Sequence, residues 1–229
     1  MPEDNQIIKW LYENLPIDED AGCRQLRLHY NTNLSILKFE STDLIKMWKG
    51  FKRVFLSISC DGVHEVGEYQ RTGWNHDIFV ENMNTIKKSF VVSSTRTGDK
   101  KNSSELIYNF QYTTTIMNVY HIFDFIDYMM DNEHITESSQ IDFYYAWSPL
   151  EIALSNLPQS EKLKIENFIS KHKERYHLKT QSELNSMIDF MNSYTTQNDA
   201  WINDNTKHYI RQIESVHGGK FEEISPIKL

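Results

Sequence analysis

Cysteine is nearly absent from this chain: Cys23 and Cys60 are the two in 229 residues, and they stand thirty-seven positions apart. A [4Fe–4S] cluster needs three or four placed thiolates, so the sequence holds no cluster motif, and no metal site is expected. So few cysteines fit a reducing compartment, with the cytoplasm as the expected location. Missing as well is any apolar run near the roughly 20 residues that cross a bilayer, which argues against a membrane partner. The opening Met1-Pro2-Glu3-Asp4 has the wrong charge for a secretory leader. Basic residues are outnumbered, 24 Lys and Arg against 32 Asp and Glu for a net charge of −8. Without a broad basic surface, no nucleic-acid partner is expected. The local run Lys171-His172-Lys173-Glu174-Arg175 is interrupted by its glutamate and reads as a solvated helix face.

Common site signatures are missing too. Asp131 to Asp142 has the length of a calcium loop but no glycine at its sixth position and no glutamate at its twelfth. Gly218-Gly219-Lys220 lacks the earlier glycine and the following Ser or Thr of a phosphate loop. No Gly-x-Ser-x-Gly elbow occurs, and no pair of histidines brackets a glutamate in the zinc-protease manner. Asp124 and Asp127 share a helix face beside Phe123 and Phe125, where they either line a substrate cavity or face solvent.

What is present is an alternation of helix and strand signals over the first 150 residues. Ile7, Ile8, Leu11 and Leu15 recur at helical spacing, while Leu26, Leu28 and Tyr30 alternate as a strand does. A short helix follows over 43–51, capped by Ser41 or Thr42 and stopped near Gly50. Val54 to Ser59 is the next strand, then a helix from Asn75 to Lys88, and the polar stretch Ser93 to Ser104 is a long connection. Ile107 to Thr115 and Ile141 to Trp147 read as further strands around an amphipathic helix, Val119 to Met130. Beyond Pro149 the signals are helical alone: 160–176 opened by Pro158, then 181–194, then 198–216 stopped by Gly218-Gly219. The expected architecture is therefore α/β, with parallel βα units over 1–150 and a helical extension over 151–229.

The stretch Arg53 to Gly73 carries the candidate site. An apolar, β-prone run ends at Ser59-Cys60-Asp61-Gly62, so polar groups gather at the carboxyl end of a strand, where proteins of βα units bind ligands. Ser59, Asp61 and Arg71 are the first candidates. Each has a plainer role: a satisfied hydroxyl, a turn former, a surface arginine. Cys60 reads as a small buried hydrophobe.

This stretch resembles the fourth strand and following helix of the radical S-adenosylmethionine (radical SAM) proteins, in the branch with SPASM or twitch extensions. There a strand ends in Ser-x-Asp-Gly and an Arg follows a Tyr some ten residues on, as Tyr69-Gln70-Arg71 does here. Leu26 to Asn33 resembles the third strand, Trp74 to Lys88 the helix after the Arg, and Phe110 to Phe125 the fifth strand with its helix. The similarity covers roughly residues 1 to 157. It implies a partial TIM-like (β/α) barrel with about four parallel strands retained. It also implies S-adenosylmethionine as cofactor, with Ser59 at the ribose, Arg71 at the carboxylate, and Asp61 and Asn33 lining the site. Asn31 and Asn33 are otherwise turn formers.

The sequence departs from that family in two respects. It has no Cys-x3-Cys-x2-Cys motif for the catalytic [4Fe–4S] cluster, and no Gly-Gly-Glu motif at the end of a second strand. Met1-Pro2-Glu3 with Ile7, Ile8 and Leu11 resembles the helix after that second motif, so the sequence is expected to begin inside the barrel. No cysteine follows Cys60, so the auxiliary cluster of SPASM and twitch extensions is not carried over. Three readings follow from the resemblance. The chain is part of an enzyme that uses a 5′-deoxyadenosyl radical on a peptide or small-molecule precursor, a non-catalytic binding module, or half of a split enzyme completed by a cluster-bearing partner chain. An unprotected edge strand at Leu26 to Tyr30 would also favour self-association.

Overall fold

The computed structural model describes residues 27–39, 42–92, 105–193 and 199–228. The helix expected over residues 4–15 and the connection Ser93 to Ser104 lie outside them, as does Cys23. The first elements are strand β1 (Arg27–Thr32), a small hairpin of β2 (Lys38–Phe39) and β3 (Thr42–Asp43), and helix α1 (Leu44–Lys49). Strand β4 (Arg53–Ser59), helices α2 (His64–Gln70) and α3 (His76–Ser89), and strands β5 (Val91–Val92) and β6 (Glu105–Thr114) follow. Then come a 3-10 turn at Val119–His121, α4 (Ile122–Asp131), β7 (Ile141–Tyr145), α5 (Gln159–His172), α6 (Leu178–Asn192), α7 (Asp199–His217) and α8 (Phe221–Ile224).

The fold is α/β. The main sheet has the order β1-β4-β6-β5, with β7 also on β6, so β1, β4, β6 and β7 lie side by side in the order of the chain. Pairing is parallel between β1 and β4, β5 and β6, and β6 and β7. The chain forms two compact units. One runs to Ser59 and resumes over Asp77–Asn109; the other is Cys60–His76 with Phe110–Leu229.

In the first unit, the period-two pattern of β4 buries Val54, Leu56 and Ile58 on one face. Register places Tyr30 on that face beside Leu56, and the fully buried Trp48 of α1 tilts against Tyr30 with ring centroids 5.8 Å apart. The opposite face is half-exposed and polar. There His29 stacks on Phe55 at 4.5 Å, and Arg53 pairs with Glu105 at 2.5 Å. The cap of α1 differs from expectation: Asp43 holds the extended cap conformation, and its Oδ1 accepts from the Lys46 N–H at 3.0 Å. Gly50 ends the helix as expected.

In the second unit, Tyr112 is buried between Phe125 of α4 at 4.8 Å and Phe143 of β7 at 5.5 Å. The outer edge of β7 is closed by α6. Glu183 accepts the Phe143 N–H at 3.2 Å, and the Lys179 ammonium donates to the carbonyls of Ser139 (2.9 Å) and Ile141 (3.2 Å) and to Asp142. Phe190 of α6 stacks on Tyr145 at 4.2 Å. Three helix boundaries shift from the sequence reading. Residues 119–121 form a tight 3-10 turn before α4, residues 173–175 do the same after α5, and α6 starts at Leu178 because His177 Nδ1 accepts from the Lys179 N–H. Gly218, at φ +76, receives the end of α7 as a left-handed cap.

Candidate anion site after strand β4

The polar segment that follows β4 lies wholly in the second unit. Cys60 extends the strand ladder by one bond, its N–H reaching the Gln111 carbonyl at 2.9 Å. Its thiol, fully buried, donates to the Gly62 carbonyl at 3.2 Å, and burial pushes its pKa up to about 12. Such a thiol remains protonated and is a poor metal ligand.

Asp61 is the junction of the segment. Its Oδ1 accepts the Thr113 N–H at 2.8 Å, and its Oδ2 accepts from Arg71 Nε at 2.8 Å and Nη2 at 2.7 Å. Arg71 sits just past the end of α2 and reaches back because that helix folds tightly onto the turn. A Cβ on Gly67 would lie 2.6 Å from both the Gly62 carbonyl oxygen and the Trp74 ring, so only glycine permits this approach. Asp61 thereby holds one edge of the guanidinium. The Nη1 group reaches no protein acceptor among the described residues, and the side chain is 29% exposed against 10% for Asp61. An arginine braced on one edge and open on the other presents a fixed pair of donors to a planar anion such as a carboxylate.

The turn between β6 and α4 clamps this segment from the side. Asn118, 1% exposed, donates through Nδ2 to the carbonyls of Asp61 (2.8 Å) and Thr113 (3.0 Å), while its Oδ1 accepts from the Thr115 N–H at 2.8 Å. Gln70 donates to the Thr115 hydroxyl at 3.0 Å. His121 Nε2 accepts the Val63 N–H at 3.2 Å. Beside them His64 is exposed at φ +50, a conformation a histidine seldom adopts. Its ring centroid lies 4.1 Å from that of His76 and 5.1 Å from that of Tyr128, and the Tyr128 hydroxyl bonds His76 Nε2 at 3.1 Å.

Of the residues singled out in the sequence, Asp61 and Arg71 are thus brought into direct contact. Ser59 and Asn33 belong to the other unit: Ser59 on the half-exposed face of β4, Asn33 closing a turn by accepting the Ser35 N–H on Oδ1 at 3.1 Å. Asn31 is exposed on β1. Asp124 is 79% exposed, and Asp127 is taken up by Arg175 at 2.6 Å and the Tyr176 hydroxyl at 2.8 Å. Asn118, His121 and Thr113 escaped the sequence reading. A Thr-x-x-Asn spacing after a strand hints at a side-chain turn for Asn118, but nothing local announces the other two.

Cys60 is the one cysteine among the described residues, and a buried protonated thiol does not fit a [4Fe–4S] cluster. No three metal-binding side chains converge among those residues, and no helix there is long and apolar enough to cross a membrane. Comparison with family models, curated proteins and solved structures returns no match.

Proposed function

We propose that this chain is the S-adenosylmethionine-binding part of a radical SAM-type partial barrel, acting with a cluster held by a partner chain. The observation that carries the reading is the Asp61–Arg71 pair, which leaves a guanidinium edge open at the carboxyl end of a parallel strand. The parallel pairing of β1 with β4 and of β6 with β7, each in chain order, supports a barrel-derived sheet of βα units, although the two-residue β5 also pairs β6. Arg71 would take the cofactor carboxylate on its open edge. When complete, such a site would support radical chemistry on a peptide or small-molecule substrate. The two cysteines of this sequence do not hold the cluster which that chemistry needs.

A second reading, a non-catalytic binding module, is favoured by one observation: Asp61 uses both carboxylate oxygens within the protein, so the pair also serves as a structural clamp. Calorimetric titration with S-adenosylmethionine, with the cluster-bearing chain added, separates the two. Arg71→Lys keeps a cation against Asp61 but loses the fork, and it should weaken binding roughly tenfold or more. The exposed Lys88→Ala should leave binding unchanged. Equal affinity of parent and Arg71→Lys, both folded, rejects Arg71 as the carboxylate partner.

A further inference from the structure

We infer that His121 is a positioning residue for the Arg71 site, and that it makes the turn carrying Asp61 sensitive to pH. The turn is held at two points by one connection, residues 115–121. Asn118 grips the Asp61 carbonyl at 2.8 Å, and His121 Nε2 grips the Val63 N–H at 3.2 Å. The first grip carries no proton that titrates. The second depends on one.

A backbone N–H can only donate, so Nε2 of His121 must be the bare nitrogen and the ring proton must sit on Nδ1. Nδ1 faces Asp124 Oδ2 at 3.8 Å. Adding a second proton removes the acceptor and sets two donors, Val63 N–H and Nε2–H, against each other. The turn at Val63 then loses its anchor next to His64, which already holds an unfavourable backbone angle of φ +50. Burial pushes the His121 pKa below the ordinary 6.5; of the charged and titratable groups facing it, Asp124 in the first turn of α4 and Glu65 on α2 act upward and His64 on α2 acts downward, and burial prevails. Neutral His121 therefore holds the turn at neutral pH and releases it as pH falls through its lowered pKa.

Only the ligand arm of the test rests on the function proposed above. The first arm follows the free protein by amide and histidine-ring NMR from about pH 7.5 to 5, below the α-amino titration of S-adenosylmethionine near ~7.7. The Val63 amide should shift with the His121 ring. Its hydrogen exchange, corrected for intrinsic rate, should quicken at least about tenfold, while the Thr113 amide on Asp61 stays protected. In His121→Gln the amide oxygen can accept from Val63 without titrating, so the step should vanish. A Val63 amide that stays flat while His121 titrates overturns the inference, and so does a step that persists in His121→Gln. Should that variant fail to fold, the parent titration decides alone. The second arm repeats S-adenosylmethionine calorimetry across the same range. Affinity should fall at least about threefold with acid in the parent but not in His121→Gln. Binding that ignores pH while Val63 is released overturns the positioning role. No binding at any pH, with the Val63 step intact, rejects the proposed ligand and leaves the turn switch standing.

Discussion

At the scale of single residues, the segment after β4 shows how burial sets chemistry. Cys60 is screened from solvent and burial pushes its thiol up to about 12, so the thiol stays protonated in mildly alkaline solution. In a Cys23→Ser background, Cys60 should resist a disulfide reagent until urea unfolds the chain. Labelling of the folded protein at the rate of a free peptide thiol would contradict its burial. Asn118 is the opposite case, a polar side chain buried because its amide is bonded on both ends. Asn118→Ala leaves the carbonyls of Asp61 and Thr113 and the Thr115 N–H without that partner. A loss of about 2–4 kcal/mol is expected in urea unfolding, from roughly 1–3 kcal/mol for each buried group left unsatisfied, reduced by local relaxation. His121 adds a pH dependence whose sign follows from its depressed pKa. The folded state disfavours the protonated ring, so its stabilisation is complete above about 6.5 and is lost as pH falls through the lower folded value. The urea midpoint should drop between pH 7 and 5.5 further for the parent than for His121→Gln.

At the scale of elements, helices do work that the strand pattern alone leaves undone. A strand at the side of a sheet exposes unpaired N–H and C=O groups and invites another chain. For β7 this hazard is met by α6, whose Lys179 and Glu183 bond the strand backbone directly. Glu183→Ala should leave the Phe143 N–H without its acceptor, lower stability by about 1 kcal/mol, and raise self-association in sedimentation velocity runs. No change in association would mean that Lys179 and the Tyr145–Phe190 stack suffice. On the other side, β1 ends the strand order among the described residues. Helix α2 is positioned by a contact no periodicity encodes, the approach of Gly67 to Gly62 and Trp74.

At the scale of the whole molecule, β1, β4, β6 and β7 follow chain order across the sheet, while the two-residue β5 pairs β6 out of that order. The sequence offers two cysteines, Cys23 and Cys60. Anaerobic reconstitution with iron and sulfide should give no cysteine-dependent visible absorption from this chain by itself. Iron and sulfide near four each per chain would require thiolates that Cys23 and Cys60 cannot supply in number.

The sequence by itself determined the α/β class and the places of β1, β4, β6 and β7, because alternating apolar residues in short runs leave one face of each strand no stable position but inside. It also marked Asp61 and Arg71, since a Ser-x-Asp-Gly turn after such a run places polar groups at a strand end. It misplaced the cap of α1 by one or two positions, because Asp, Ser and Thr compete for that role with similar energies and only the backbone angle at Asp43 decides between them. Tertiary structure alone decided that Arg71 is braced by Asp61, that Asp61 is spanned by Thr113 across 52 positions, and that Val63 depends on a histidine 58 positions away. Such bonds link residues whose neighbours in sequence carry no trace of each other. They form only once the parallel sheet has brought the end of β6 beside the turn that follows β4.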